Sequence, residues 1–281
     1  MKIGVIDCGG GFRGIYGTGV LDFCQAHDVW FDYCVGISAG SANLSSYLAR
    51  QPGRNIPFYG EYGFRKEYCG IGNLVFKHNY LNLDYVYGTL SNSDGESPLD
   101  FEAMMANPAQ FVIVATDALT GETIYFDKSS LRQDYYNAIK ASCALPGACQ
   151  PVDVDGRLCF DGGFGDPVPV EKALADGCDK VVVILTKPRD TIREQKSDML
   201  GVRLIRRDYP RAAEQLMLRY KKYNDGVALA KEYEKQGKVL IVAPESTCGM
   251  TTLKRTQEQL DQMYAMAQKD AAAILPFLGQ D

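Results

Sequence analysis

Short apolar runs alternate with glycine-rich turns and helical patterns over the first 50 residues. We predict a strand at 2–7, a turn at 9–14 that opens a helix ending near residue 25, a second strand at about 31–36 and a second helix at about 40–50. This order is typical of a β-α-β unit. Both turns would follow the carboxyl ends of strands, which is where open α/β sheets bind ligands.

The rest of the chain also mixes strands and helices. Further strands are predicted at 110–116, 123–126, 157–160, 180–186 and 238–243. Further helices are predicted at 101–106, 132–142 and 169–176, within the basic segment 191–235, and at 252–277. Because no repeat, low-complexity tract or linker composition interrupts the chain, we predict one α/β domain over 1–281. Its C-terminal part, 190–281, would be helical with one further strand.

Residues 51–98 differ from the rest, because glycine and proline interrupt every long element and aromatic residues are dense. We predict an irregular excursion over one face of the sheet, which makes this segment a candidate lid or substrate wall. Packing of a long loop onto the core would explain the aromatic residues equally well.

The composition is that of an ordinary globular protein, with 281 residues and 46% hydrophobic residues. The net charge of −5 argues against nucleic acid as the main partner. The nine cysteines form no C-x-x-C pair, so we expect neither a zinc site nor a disulfide framework but reduced thiols in a cytoplasmic protein. No apolar run is long enough to span a bilayer, and residues 2–7 already form a strand where a signal peptide would begin. Peripheral contact with a membrane surface stays open.

Ser38 lies at the centre of Gly36-Ile37-Ser38-Ala39-Gly40, between an apolar strand and a helix that starts with small residues. The Gly-x-Ser-x-Gly spacing in this context is typical of a nucleophilic serine on a strained strand-to-helix turn. Gly36 and Gly40 would be required because a side chain there would crowd the turn. The alternative is that Ser38 is a simple helix N-cap.

A base for Ser38 is not obvious, since His27 and His78 are the only histidines in the chain. No histidine follows residue 78, which excludes the Ser-Asp-His order of α/β-hydrolases. His27 is predicted at a helix end and His78 in a loop. Asp161 is the better candidate, because it follows the strand at 157–160 and precedes two glycines. Burial would raise its pKa above the usual value of ~3.9 and make it a stronger base.

The turn Gly9-Gly10-Gly11-Phe12-Arg13-Gly14 allows two interpretations. It matches the dinucleotide-binding pattern G-x-G-x-x-G, which would make the chain a nucleotide-binding oxidoreductase. That pattern also needs an acidic residue at the end of the second strand, whereas Asp32 lies near its start. An oxyanion hole fits better, because successive glycines let backbone amides approach a reacting carbonyl at the N-terminus of a helix.

Together these blocks resemble the patatin-like phospholipase family. The family pattern is G-G-G-x-[KR]-G, then G-x-S-x-G, then D-G-[GA], which stand here as the turn at 9–14, the Ser38 turn and Asp161-Gly162-Gly163. The stretch Ala141-Ser142-Cys143-Ala144-Leu145-Pro146 is similar to the block that precedes the aspartate in that family. The resemblance covers roughly residues 2–170. One departure is Pro167-Val168-Pro169, where many members carry Asn-x-Pro.

The resemblance implies a three-layer α/β/α sandwich with a mostly parallel central sheet, and a lipid acyl hydrolase that needs no metal or cofactor. Ser38 would be the nucleophile and Asp161 the base. The implied oxyanion hole consists of the amides of Gly9, Gly10 and Gly11. Supporting residues would be Arg13, which shapes the first turn, together with Gly36, Gly40, Gly162 and Gly163.

The substrate implied by the family is a lipid acyl ester, namely a phospholipid, a lysophospholipid or an acylglycerol. The aromatic segment 51–98 would suit an acyl chain, and the basic stretch 203–222 would suit an anionic head group or simply form a solvated helix face. A non-catalytic lipid-binding or interaction protein with a vestigial site is the alternative function.

Overall fold

A computed structural model describes residues 1–77 and 79–279 of the chain. His78, considered above as a base, lies outside the described residues. The strands are β1 (Ile3–Asp7), β2 (Tyr33–Ile37), β3 (Gln110–Asp117), β4 (Thr123–Phe126), β5 (Val152–Val154), β6 (Arg157–Asp161), β7 (Lys180–Ile184) and β8 (Val239–Val242). The helices are α1 (Ile15–Ala26), α2 (Ala39–Leu48), α3 (Ile56–Tyr59), α4 (Ile71–Lys77), α5 (Phe101–Ala106), α6 (Asn137–Ser142), α7 (Val170–Ala175), α8 (Met199–Ile205), α9 (Pro210–Lys235), α10 (Gln257–Asp270) and α11 (Ile274–Leu278).

Five parallel strands form the body of the sheet, in the order β8-β7-β1-β2-β3. The chain passes from β1 to β2 and β3 on one side and returns to β7 and β8 on the other. The carboxyl end of β1 is therefore a topological switch point, the place where open sheets of this kind form a crevice. The three antiparallel strands β4, β5 and β6 lie beyond this body.

Helices cover both faces of the sheet, because successive strand residues point in opposite directions. On one face, Val5 and Cys34 pack with α1, α2, α6 and α10. On the other face, Ile6 and Val35 pack with α7 and α9. The prediction of a three-layer α/β/α fold with a mostly parallel sheet is therefore confirmed. No helix among the described residues is long and apolar enough to cross a membrane.

Strands β2 and β6 share one edge of β3, and this sharing positions the site. Ala115 of β3 pairs with β4 and with Asp161 of β6, so β4 and β6 lie on opposite edges of β3. Val114 pairs with β4 and with Ile37 of β2, so β2 also lies opposite β4. The two strands therefore follow one another along the same edge and run toward each other. Ser38, directly after β2, consequently meets Asp161 at the end of β6.

Several predicted elements differ in extent from the structure. The helix predicted at 132–142 is limited to α6, because Arg132 and Tyr135 exchange backbone hydrogen bonds in a tight turn. The basic segment divides into α8 and α9 at Pro210, which has no N–H and so stands at the first position of a helix. The last helix begins only at Gln257, where the Thr256 side chain caps it, and a 3₁₀ turn at Ala271–Ala273 interrupts it.

The segment 51–98 is less irregular than predicted, and β5 was not predicted. The segment contains the short helices α3 and α4 and a π-helical turn, Tyr85–Leu90. Strand β5 is only three residues long, and pairing with β6 across Asp155-Gly156 defines it. Such short elements depend on tertiary contacts more than on local pattern.

Candidate active site

Ser38 lies on a sharp turn between β2 and α2, with φ 55° and ψ −131°. A non-glycine residue pays a steric cost in this backbone region, so the surrounding structure must hold it there. A Cβ on Gly40 would lie 2.1 Å from the Asp7 carbonyl oxygen, and one on Gly36 would lie 2.3 Å from the Ser41 Cα. Both positions therefore require glycine, as the sequence predicted. The side chain of Ser38 is half-buried at the surface of the cleft.

The backbone N–H of Ser38 donates a hydrogen bond to the Ser142 hydroxyl at 2.9 Å. Ser142 ends α6 and is buried, and it belongs to the Ala141–Pro146 block that the sequence singled out without a role. This contact anchors the serine turn to the segment that leads into β5 and β6.

Asp161 is only 2% exposed, and its carboxylate lies close enough to the Ser38 hydroxyl for that group to lower its pKa. The same carboxylate accepts the Gly163 N–H at 2.7 Å, while a Cβ on Gly162 would lie 2.2 Å from the Val114 carbonyl oxygen. Burial raises the pKa of Asp161, and the charge of Arg219, the Ser38 hydroxyl and the Gly163 N–H oppose that rise. A carboxylate with a raised pKa is a better proton acceptor than an exposed one.

The glycine turn after β1 faces the same cleft. Gly9, Gly10 and Gly11 have φ values of 59°, 135° and 61°. The Gly9 N–H donates to the Asp7 carboxylate at 2.9 Å, so this amide is engaged within the turn. The N–H groups of Gly10 and Gly11 donate to no residue in the described part of the chain, and both glycines line the cleft beside Ser38. They are the amides that remain available to a ligand.

Asp7 supports this turn, and the sequence analysis did not identify it. It is fully buried, and it accepts hydrogen bonds from the Gly9 N–H and from the Asn43 side chain, each at 2.9 Å. Burial raises the pKa of Asp7 to about 6. The sequence did contain a signal for this role of Asp7, because this acidic residue ends an apolar strand two positions before Gly9.

Arg13 is buried, and its side chain lines the cleft. Its two terminal nitrogens each lie 3.4 Å from the Thr252 hydroxyl, and its Nε has no hydrogen-bond partner within the described structure. Of the basic stretch 203–222, only Arg219 reaches the cleft, where Arg193 joins it. Arg193 was outside the predicted stretch.

One cleft contains all of these groups. Ser38, Asp161, Gly10, Gly11 and Arg13 form its polar floor. Its other wall is largely apolar and comes from the segment 51–98 and from α6 and its neighbours: Phe58, Tyr59, Tyr68, Leu81, Leu83, Val86, Tyr87, Leu99, Ile139 and Leu145. The segment 51–98 therefore contributes a wall to the cleft. Its movement as a lid stays a prediction.

The structure does not favour dinucleotide binding at the glycine turn. Asp32 precedes β2 and accepts the N–H of Ile3, the first residue of β1, at 2.8 Å. It therefore lies at the opposite end of the sheet from the glycines and cannot contact a ribose there.

Comparison with known families agrees with this geometry. The family model for patatin-like phospholipases matches residues 8–174. The chain belongs to this family. Beyond the patatin-like region, residues 209–280 match a family described as a domain of unknown function, DUF6363.

Relatives of this patatin-like chain include bacterial and fungal proteins. The uncharacterized protein YjjU of Escherichia coli is 31% identical over 192 residues, which cover 66% of this chain and 52% of that protein. Lysophospholipase NTE1 of Scheffersomyces stipitis is 25% identical over 183 residues, or 65% of this chain and 11% of that protein. The chain thus spans about half the length of the first relative and far less of the second. The crystal structure of VipD from Legionella pneumophila aligns with a TM-score of 0.49 at 11% identity, covering 97% of this chain and 67% of that one.

Proposed function

We propose that this protein is a serine hydrolase that cleaves acyl esters of lipids through a Ser38–Asp161 dyad. The observation that carries the proposal is that Ser38 and the buried Asp161 meet in one cleft, together with the unengaged amides of Gly10 and Gly11. Membership of the patatin-like phospholipase family supports the reaction class.

The reaction proceeds in two steps. Ser38 Oγ attacks the ester carbonyl carbon while Asp161 accepts the hydroxyl proton. The amides of Gly10 and Gly11 stabilise the negative charge on the carbonyl oxygen of the tetrahedral intermediate. The bond to the alcohol then breaks, and Asp161 returns the proton to the leaving oxygen. Water, deprotonated by Asp161, attacks the acyl-enzyme; the bond to Ser38 Oγ breaks, the acid leaves, and Asp161 returns the proton to Ser38 Oγ.

The lining of the cleft suits a substrate with an acyl chain beside a polar group. The apolar wall from the segment 51–98 would contact the chain, while the polar floor holds the ester. The relative named lysophospholipase NTE1 supports a lysophospholipid as the substrate class.

Covalent labelling tests the dyad. Wild type should react with a fluorophosphonate probe and hydrolyse p-nitrophenyl butyrate, whereas Ser38→Ala should lose the label and about 1000-fold or more in kcat. Asp161→Asn should lose a comparable factor, because its amide cannot accept the proton and leaves the serine weakly nucleophilic. Ser197→Ala is the matched control, since Ser197 is exposed outside the cleft. Labelling of Ser38→Ala at the wild-type rate would refute Ser38 as the nucleophile, and failure of wild type to react would favour a vestigial site.

We also propose peripheral contact with a membrane surface through α8. Leu200 and Leu204 are 71% and 56% exposed on this helix, and Arg203 is exposed between them. A Cβ on Gly147 would lie 2.9 Å from Leu204 Cδ1, so α8 lies beside the segment that carries Leu145 into the cleft. Apolar and basic side chains together suit an anionic bilayer.

A further inference from the structure

Three arginine side chains lie in the cleft at the glycine turn, and their charges act on a nearby lysine. Arg13, Arg193 and Arg219 line the cleft that contains Ser38. Lys187 follows Thr186, whose hydroxyl hydrogen-bonds the Gly9 carbonyl at the end of β7. We call these four residues the cation cluster. Its members come from the β1 turn, the β7 end, the following loop and α9, so the fold and not a local sequence run brings them together.

The carboxylates near the cation cluster neutralise it only in part. Asp198 binds Arg193 at 2.7 Å and 3.2 Å and lies 3.5 Å from Arg219. Asp161 acts on Arg219 through its charge. Four cations therefore face two carboxylates, and one of these, Asp161, is the proposed base. The arrangement leaves a surplus of two positive charges when all of these groups are ionised.

Two members of the cation cluster have no anionic partner among the described residues. Lys187 makes no hydrogen bond or ion pair with any residue in the described ranges. Arg13 is only 6% exposed, and its guanidinium contacts one hydroxyl group, that of Thr252. Buried cations without anionic partners are rare, because desolvation disfavours the charged form.

Burial and mutual repulsion both lower the pKa values of Lys187 and Arg13 in the cation cluster. Burial lowers the pKa of Lys187 to about 8, and the charges of Arg13, Arg193 and Arg219 add to that effect. Burial likewise lowers the pKa of Arg13 to about 10, with Arg193 and Arg219 contributing. An anion bound among these groups would relieve the repulsion and replace the missing partners.

We infer that the cation cluster binds a phosphate monoester, so that the preferred substrate of the proposed hydrolase is a monoacyl lipid whose head group is a bare phosphate. The inference rests on the proposed function for the ester and on the charge surplus for the head group. A phosphomonoester carries close to two negative charges at neutral pH. Choline or ethanolamine head groups carry one negative charge and add an ammonium, which these cations would repel. A neutral glyceride would leave the surplus uncompensated.

Binding of ether lipids tests the head-group site without requiring hydrolysis. Isothermal titration calorimetry would compare 1-O-alkylglycerol 3-phosphate with the matching 1-O-alkylglycerol, both below their critical micelle concentrations. Wild type should bind the phosphate-bearing lipid at least about tenfold more tightly. Lys187→Gln should abolish most of that preference, and Lys187→Arg should keep it. Lys196→Gln is the matched control, because Lys196 is 82% exposed and pairs with Glu194 outside the cleft.

Two further measurements separate the outcomes. Inorganic phosphate alone should bind at least about 100-fold more weakly than the ether lipid phosphate, because it lacks the alkyl chain. Equal affinity would overturn the assignment to a lipid head group.

Wild-type kcat/KM should likewise be about tenfold higher for monoacylglycerol 3-phosphate than for monoacylglycerol and for lysophosphatidylcholine of the same chain length. Equal values, or equal binding of the two ether lipids, would refute the head-group inference while leaving the hydrolase intact. Preferential binding without any ester hydrolysis would refute the hydrolase and leave the phosphate site.

Discussion

At the scale of single residues, the proposed chemistry depends on how the protonation of Asp161 is controlled without a histidine. Burial raises its pKa, and Arg219, the Ser38 hydroxyl, the Gly163 N–H and Arg193 lower it. A terminal nitrogen of Arg219 would lie 2.9 Å from a Cβ on Gly163, so this guanidinium is close to the aspartate loop. We therefore expect Arg219 to act through Asp161, as a positioning residue whose charge favours the ionised carboxylate.

The pH profile of hydrolysis should report this control. The base must be ionised, so kcat/KM for p-nitrophenyl butyrate should fall on the acidic side, with a midpoint above the usual carboxyl value of ~3.9. Arg219→Gln removes a charge that lowers the Asp161 pKa, so the acidic limb should move to higher pH by about 0.5–1 unit. Arg219→Lys should restore most of the wild-type profile.

Arg211→Gln serves as the control for this profile, because Arg211 lies on the same helix with its side chain 68% exposed. Its acidic limb should coincide with that of wild type. An unchanged or downward-shifted limb in Arg219→Gln would contradict the role given to Arg219.

The sequence predicted the residues that carry a local pattern. Ser38 and Asp161 each stand between a strand and glycines, and the structure brings them into one cleft. The role of Ser142 was missed, because its contact joins distant parts of the chain. The Ser142 hydroxyl meets an amide 104 positions away. No spacing rule reveals such a partner.

At the scale of elements, α8 exposes apolar side chains next to basic ones. It presents Leu200 and Leu204 to solvent, one turn apart on the same face. Arg206 and Arg207 follow directly and are also exposed. The sequence predicted a basic helical region here, and Pro210 is a local reason for its division, but the exposure of the leucines depends on how the helix packs.

Removing the two leucines should weaken membrane contact. The double variant Leu200→Ser/Leu204→Ser should pellet with vesicles of phosphatidylglycerol and phosphatidylcholine at least about fivefold less than wild type, because about two side chains of apolar insertion are lost. Met105→Ser is the control, since Met105 is 37% exposed beside the amino end of β3, away from the cleft. Far-UV circular dichroism would show that both variants are folded. Unchanged pelleting of the double variant would exclude α8 as the contact.

At the scale of the whole molecule, the sheet joins the region matched by the patatin-like model to the region matched by DUF6363. Strand β8, which lies in the second region, pairs with β7 between the two regions, and β7 continues through β1 to β2 in the first region. Helix α10 packs against α1 so closely that a Cβ on Gly19 would lie 2.7 Å from the Ala267 side chain. We therefore propose that 1–281 is one domain, as the unbroken composition predicted.

Equilibrium unfolding tests this proposal. Trp30 is the only tryptophan and lies in the N-terminal part, so its fluorescence reports that part alone, whereas far-UV circular dichroism also reports α9 and α10. One domain predicts that both signals change in a single urea transition with the same midpoint. Separate midpoints would show that the C-terminal part unfolds independently.

Much of the architecture followed from the sequence, because the buried strands are continuous apolar runs and the turns carry glycine. The orientation of β6 did not follow from it. Arg157–Asp161 shows the same apolar pattern whether it runs parallel or antiparallel to β3. Only the pairing of β5 with β6 and of β6 with β3 determines that direction.

The shared edge of β3 also has a mechanical consequence. Because β2 and β6 are both hydrogen-bonded to that edge, a bend or slide of β3 carries Ser38 and Asp161 along together. We therefore expect motions elsewhere in the sheet to change the separation of these two side chains little. The segment 51–98 lies outside β2, β3 and β6, so the predicted lid movement would leave their pairing intact.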